Sequence, residues 1–268
     1  MIPADLAQAG QRLMADNAVL VGLDFDGVLA PIVEQRDAAR PVAGGMAAVR
    51  RLAGLAGVEV ALVSGRALDS LLAVSGITDD DPVSLVGSHG AEARLHPSLR
   101  HRSGDLWRAG ALTQDEGHRL AQVVAALTGI VQDAGPGSGL DVELKPAGAV
   151  LHTRLAPPPV ARAAESAAMA GPATWLGVHT TLGKAVVEMS VVQTSKGVAL
   201  QRLRGLASAD AILYAGDDVT DETAFAVLGP DDVGIKVGPG ETLAAYRLDG
   251  PADVAELLQL LVAERSQR

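Results

Sequence analysis

The sequence predicts an α/β protein: a core built on a parallel sheet, interrupted along the chain by an inserted α+β domain. Three observations carry this expectation. Short apolar runs alternate with helical segments near the N-terminus, the same alternation returns near the C-terminus, and the runs between them group differently.

The first part supplies three short buried strands, Ala18 to Leu23, Val58 to Val63 and Val83 to Val86. The segments "PVAGGMAAVRRLAGLAG" and "RALDSLLAVSG" between them have the spacing of helices. In the middle, "TQDEGHRLAQVVAALTG" opens with the Thr113 to Glu116 capping-box pattern and is expected to be helical. "DVELKP" and "AVLHTRLA" follow as strands joined by a turn at Pro146 to Gly148. A Pro-started helix, "PPPVARAAESAAMAG", precedes two further strands, "ATWLGVH" and "AVVEMSV". Strands grouped this way imply an antiparallel sheet with helices on one face. The last part reads as helix "SKGVALQRLRG", strand "AILYAGDD", helix "TDETAFAVLG", strand "DVGIKVG" and a closing amphipathic helix, "PADVAELLQLLVAER". The expected division is a core of residues 1–95 and 184–268 with an insert of 96–183.

Composition narrows the functional classes. Of 268 residues, 48% are hydrophobic, but Phe, Trp and Tyr occur only twice each, so the core must be built from Ala, Val and Leu. The formal charge of −10 argues against nonspecific binding to nucleic acid or an anionic membrane. A small anionic substrate stays open, because a metal or a local basic pocket can reverse the field. The chain has no cysteine, which removes disulfides, thiolate nucleophiles and Cys-based metal sites. Its first residues lack the basic-then-apolar layout of a signal peptide, and no uncharged apolar run is long enough to span a membrane. A soluble, cytoplasmic protein is expected.

In a parallel sheet, functional groups gather at the carboxyl ends of the strands. The ends here carry Asp24 and Asp26 in "DFDG", Ser64 in "VSGR", His89 in "GSHG", and Asp217 with Asp218 in "AGDDVTDE". Several carboxylates in one crevice repel, by about 4 kcal/mol per pair at ~4 Å and an effective dielectric near ~20. A hard divalent cation with oxygen ligands would offset this, and Mg2+ is the expected ion. Ser64 could donate to a phosphate oxygen through its hydroxyl and a backbone N–H. Lys196 in "TSKG" could add positive charge at a helix start. One carboxylate could attack phosphorus, and a second, two residues along an extended strand, could serve the proton. Gly27 would let backbone N–H groups approach the phosphate.

The ordered set "DFDGVLAPI", "VSGR", "SKG" and "GDDVTDE" resembles the haloacid-dehalogenase (HAD) superfamily of Asp-based phosphatases, and more narrowly the trehalose-6-phosphate phosphatases. The likeness extends through "GSHGAE", "VELK", "VLHTR" and "GIKVGPGETLAAYRL". It implies a Rossmann-like HAD core with an α+β cap domain that closes over the sugar. By the same resemblance Asp24 is the nucleophile and Asp26 the general acid/base, while Ser64, Gly65, Gly27 and Lys196 hold the phosphate. Mg2+ would sit on Asp24, the Asp26 carbonyl and Asp217, supported by Asp218 and Asp221. His89, Glu143, Lys145 and Arg154 would face the disaccharide. The implied partner is a small sugar phosphate, trehalose 6-phosphate, with association to a synthase left open. Val28 departs from the threonine found in many members.

Plainer roles exist for several of these residues. Ser64 could cap the next helix, and Asp221 and Glu222 could be first-turn acids facing a helix dipole. Arg66 reads better as an ion-pair partner than as a ligand. His152 could be packed, and "VELK" could be a solvated strand face. Two rival functions stay open: the same chemistry on a sucrose, mannosylglycerate or hexose phosphate, or a sugar-phosphate-binding regulator without catalysis.

Overall fold

A computed structural model of the chain describes residues 1–103, 112–192 and 194–268. The chain divides into two compact units, Met1–Ala109 with Thr194–Arg268, and Gly110–Gln193.

The first unit begins with α1 (Ala4–Leu13), β1 (Val19–Leu23), α2 (Gly45–Ala53), β2 (Val58–Val63), α3 (Leu68–Ser75), β3 (Val83–Gly87), β4 (Glu92–Arg94) and α4 (Pro97–Ser103). The second unit holds α5 (Gln114–Ala134), β5 (Asp141–Lys145), β6 (Gly148–His152), α6 (Pro158–Ala170), β7 (His179–Gly183) and β8 (Val186–Ser190). The chain then returns to the first unit through α7 (Lys196–Ala207), β9 (Ala211–Gly216), α8 (Glu222–Phe225), β10 (Val233–Val237), β11 (Tyr246–Leu248) and α9 (Pro251–Ser266).

Among the described residues, the first unit carries a seven-stranded sheet of order β11-β10-β9-β1-β2-β3-β4. Every pairing is parallel except β3 with β4. The alternating pleat sends Val19, Val21 and Leu23 into an apolar cluster with α1, α2, α3 and α9. Leu20 points the other way, into a cluster with residues of α7, α8 and α4. Both faces are covered, which is why these strands read as continuous apolar runs rather than as alternating ones.

The second unit has a four-stranded antiparallel sheet of order β5-β6-β8-β7 among its described residues. Leu151, Ala149, Val187 and Met189 pack on Val123 and Leu127 of α5 and on Ala164 and Ala168 of α6. The capping box at Thr113 and Glu116 forms as expected.

The parallel core and its α/β class are borne out. The insert, expected over 96–183, becomes Gly110–Gln193, so its boundaries move by 14 residues at the first end and 10 at the second. Pro97–Ser103 belongs with the first unit, and Leu99 packs there beside Leu203 and Leu206 of α7. Val186–Ser190 belongs to the second unit, because it pairs with both β6 and β7. "ATWLGVH" is not a strand: Pro172–Thr174 forms a 3₁₀ turn and β7 begins only at His179. The sequence reading did not anticipate α1, β4, α4 or β11. No described helix is long and apolar enough to cross a membrane.

Candidate active site

The registers bring the chemistry-bearing residues together. Leu23 of β1 pairs with Leu62 of β2 and Ala215 of β9, all running parallel. The next residues along β1 and just past the ends of β2 and β9 are Asp24, Ser64 and Asp217, which therefore emerge at one sheet edge. Asp24, Asp217 and Asp221 each place a carboxylate oxygen within 4.8 Å of the others.

Lys196 sits at the first turn of α7, whose N-cap Ser195 accepts from the Val198 N–H at 3.2 Å. Its ammonium is buried and bridges two of the acids, 2.6 Å from Asp24 Oδ2 and 2.8 Å from Asp221 Oδ1. Asp24 Oδ1 accepts from the Phe25 N–H at 2.6 Å. Asp221 is enclosed more completely. Oδ1 also accepts from the Tyr214 hydroxyl at 2.6 Å, and Oδ2 from the backbone N–H groups of Asp217 and Asp218 at 3.1 and 2.9 Å. Lys236 donates to the Asp217 carbonyl. Asp218 itself is exposed and lies outside the triad.

Two glycines permit this crowding. A Cβ on Gly27, whose φ is +76°, would lie 2.1 Å from Asp217 Oδ2, and one on Gly216 would lie 2.3 Å from Asp221 Cγ. No other residue fits either place. The glycine of "DFDG" and that of "AGDD" are therefore steric requirements of the acids themselves.

Burial and mutual charge separate the three acids electrostatically. Burial pushes Asp24 above the usual carboxylate range, and Asp221 and Asp217 add to this against the opposing Lys196 charge. Burial and Asp221 push Asp217 up to about 7. For Asp221 burial also acts upward, but the Lys196 charge, the hydrogen bonds from Lys196 and Tyr214 and a backbone donor outweigh it and hold the group below its ordinary value. Lys196 is held above its ordinary value because Asp24 and Asp221 outweigh its own burial cost. Asp221 has four donors and Asp24 two, which is why the two acids shift in opposite directions.

This all-oxygen donor set, with more carboxylates than ammonium groups, fits a hard divalent cation. If Asp217 is a ligand, a bound cation must displace its proton. Affinity for Mn2+, measured by electron paramagnetic resonance, should fall at least about tenfold per pH unit below ~7 and level off only above about 8, where Asp24 has also lost its proton. A flat profile between pH 5.5 and 8 would count against Asp217 as a ligand.

Asp26 is arranged differently. Arg66 holds it in a bidentate pair at 2.6 and 2.7 Å, and the buried guanidinium also lies 5.8 Å from the Phe25 ring centroid. Arg66 is thus an ion-pair partner, but of the second aspartate. Ser64 Oγ accepts from the Arg66 N–H at 3.2 Å and fixes the Ser-Gly-Arg turn. Ser88 and His89 both take left-handed backbone angles, and the His89 ring lies where a Cβ on Gly65 would be 2.5 Å away. His89 therefore belongs to the Ser64–Gly65 loop.

In the second unit, Glu143 and Lys145 lie on the face of the sheet opposite the α5 and α6 core. Lys145 is buried rather than solvated and pairs with Glu188 at 2.7 Å. Glu143 Oε2 is 2.8 Å from His152 Nε2. Arg154 is exposed on the turn after β6. The sequence reading did not single out Tyr214 or Glu188, although each left a signal: a hydroxyl in an apolar strand and a charge inside "VVEMSV".

A doubly wound sheet with Asp24, Lys196, Asp217 and Asp221 at its carboxyl edge defines a HAD-superfamily protein. A family model described as Trehalose-phosphatase matches residues 22–252. A trehalose-phosphate phosphatase of Mycolicibacterium paratuberculosis is 35% identical over 275 residues, covering 96% of this chain and 66% of that protein. A bifunctional trehalose-6-phosphate synthase/phosphatase of Thermoproteus tenax is 33% identical, covering 97% of this chain and 33% of that protein. The C-terminal domain of the C. albicans trehalose-6-phosphate phosphatase has a TM-score of 0.77 at 22% identity, covering 97% of each chain. The chain belongs to the trehalose-phosphatase family. It spans about a third to two thirds of the length of these curated relatives.

Proposed function

We propose that this protein hydrolyses trehalose 6-phosphate to trehalose and inorganic phosphate through an aspartyl-phosphate intermediate, with Mg2+ as cofactor. The observation that carries the reading is Lys196 bridging Asp24 and Asp221 at the sheet edge, in a chain matched by the family over most of its length.

Asp24 attacks phosphorus through a carboxylate oxygen, forming the P–O bond to the enzyme as the P–O bond to the sugar breaks. Asp26 delivers a proton to the departing sugar oxygen, then takes one from the water that attacks phosphorus and releases Asp24. Both Asp26 oxygens accept from Arg66 in this structure, so that ion pair must open before the carboxyl can donate. Lys196, Ser64 and the backbone at Gly27 and Gly65 hold the phosphoryl oxygens. Asp24, the Asp26 carbonyl and Asp217 would hold the cation, with Asp218 as an outer acid; when bound, the cation screens their mutual repulsion and the phosphate charge.

The second unit is read as the cap that selects the sugar. Glu143 and Lys145 offer an acceptor and a donor on one sheet face, and Glu188 and His152 orient them. Arg154, exposed on its turn, has less support as a sugar contact. His89 is reassigned to shaping the phosphate loop, because its ring packs over Gly65.

The test is phosphate release, with and without Mg2+, from trehalose 6-phosphate beside sucrose 6-phosphate, glucose 6-phosphate, mannosylglycerate phosphate and p-nitrophenyl phosphate. A strong preference for trehalose 6-phosphate, lost on chelation, is expected. Activity confined to another sugar phosphate would retain the chemistry and discard the cap reading. Replacing Lys145 by alanine should lower kcat/KM for the sugar phosphate by roughly 10- to 100-fold, and far less for p-nitrophenyl phosphate. Equal losses on both substrates would sink the assignment of Lys145 to the sugar.

A further inference from the structure

Tyr214 lies outside the set of acids, lysine and serine used above, yet its hydroxyl ends inside that set. It is the largest of the fully buried side chains among the described residues, on the interior strand β9. Its ring meets Phe225 edge-on at 5.7 Å between centroids and covers Gly22 of β1, where a Cβ would lie 2.9 Å from the ring. These contacts hold the phenol. It aims at Asp221 Oδ1, 2.6 Å away.

Asp221 is saturated. A carboxylate offers about four acceptor positions, and here Lys196 and Tyr214 take Oδ1 while the Asp217 and Asp218 N–H groups take Oδ2. Little is left with which to bind a cation, so of the three clustered acids Asp24 and Asp217 remain as direct ligands and the expected metal role of Asp221 is revised. What Asp221 does hold is Lys196. The ammonium has three N–H donors, of which Asp24 and Asp221 receive one each. The third is directed by the other two.

We infer that Tyr214 is a positioning residue: its hydroxyl locks Asp221, and Asp221 in turn sets the Lys196 ammonium so that its remaining N–H faces the phosphoryl group attacked by Asp24. The inference rests on the phosphatase reading for its consequence, but its geometry can be tested without turnover. Without the hydroxyl, Oδ1 keeps a single donor in a site closed to water, and the lysine loses one end of its brace.

The test compares wild type with Tyr214→Phe, which keeps the ring, and Phe225→Leu, which loosens the same packing and touches no polar group. The first readout is hydrogen exchange of the Lys196 ammonium, followed by nitrogen-15 NMR and assigned by its disappearance in Lys196→Met. Exchange should speed up about tenfold or more in Tyr214→Phe and stay unchanged in Phe225→Leu. The second is kinetics on trehalose 6-phosphate and p-nitrophenyl phosphate. In Tyr214→Phe, kcat should fall about tenfold or more on both, with KM within about twofold and Mn2+ affinity unchanged. Phe225→Leu should lose thermal stability but not kcat at 25 °C.

Unchanged lysine exchange in Tyr214→Phe would overturn the inference. So would a loss of kcat that tracks the loss of Tm in both variants, since that is the mark of packing alone. A parallel fall in Mn2+ affinity would overturn it too, by making Asp221 a support of the cation. If wild type hydrolyses neither substrate, the phosphatase reading fails, while lysine exchange still decides whether Tyr214 acts as inferred.

Discussion

Asp24→Asn is expected to lower phosphate release by at least about 10³-fold, the largest effect of any single substitution in this chain. An amide is a poor nucleophile toward phosphorus and cannot form the acyl phosphate on which the second step depends. The loss should fall on kcat, because Ser64 and Lys196 remain to bind the phosphate. The fold should survive. Lys196 keeps its 2.8 Å partner Asp221, and asparagine fills the same volume against the Phe25 N–H. Acid-quenched wild type incubated with radiolabelled substrate should carry covalent phosphate, and the variant none. Turnover within tenfold of wild type would remove Asp24 from the chemistry and with it the aspartyl-phosphate route.

The second large effect has opposite signs in two measurements. Burial first, and the neighbouring Asp221 second, push Asp217 from an ordinary 3.8 up to about 7 in the folded chain. The folded state therefore holds this proton more tightly than the unfolded state does. Its contribution to stability is fully present below about pH 4 and is lost as pH rises from there through about 7. At pH 8 without metal, the ionised carboxylate is a strain on the fold. Asp217→Asn should then stabilise the metal-free protein by on the order of 2 kcal/mol, several degrees in Tm, with the gain shrinking toward pH 5. The same change should cost at least about tenfold in divalent-cation affinity, so that added Mg2+ no longer raises Tm. Calorimetry of both proteins at pH 5 and 8, with and without Mg2+, decides the matter. A variant less stable than wild type at pH 8 without metal would contradict the assigned electrostatics.

These two predictions share a physical source. The site is built from groups that oppose folding when the pocket is empty of counter-charge. Lys196 neutralises part of the acidic cluster, and the glycines at 27 and 216 let the carboxylates approach more closely than side chains otherwise allow. Such a site is stable only because the sheet and its two apolar layers overdetermine it.

Much of this was readable along the chain. The alternation of apolar runs with helical segments determined the parallel core, because a strand covered on both faces must be apolar throughout and consecutive parallel strands need a helical crossover. That rule also placed Asp24, Ser64 and Asp217 at one edge, since carboxyl ends of parallel strands share an edge whatever their spacing in sequence. Residue type then pointed to the chemistry: crowded oxygens need a cation, and a lysine at a helix start suits an anion.

Only the tertiary structure decided which charge meets which. Arg66 pairs with Asp26, Lys196 divides itself between Asp24 and Asp221, and Tyr214 reaches Asp221 from the middle of a strand that reads as plain core. It also decided that Val186–Ser190 completes the second sheet, where β6 and β7 receive it on either side. Periodicity is a local property and survives in one dimension. Pairing among buried polar groups depends on a few tenths of an ångström between segments far apart in the chain, and that exists only once the core has packed.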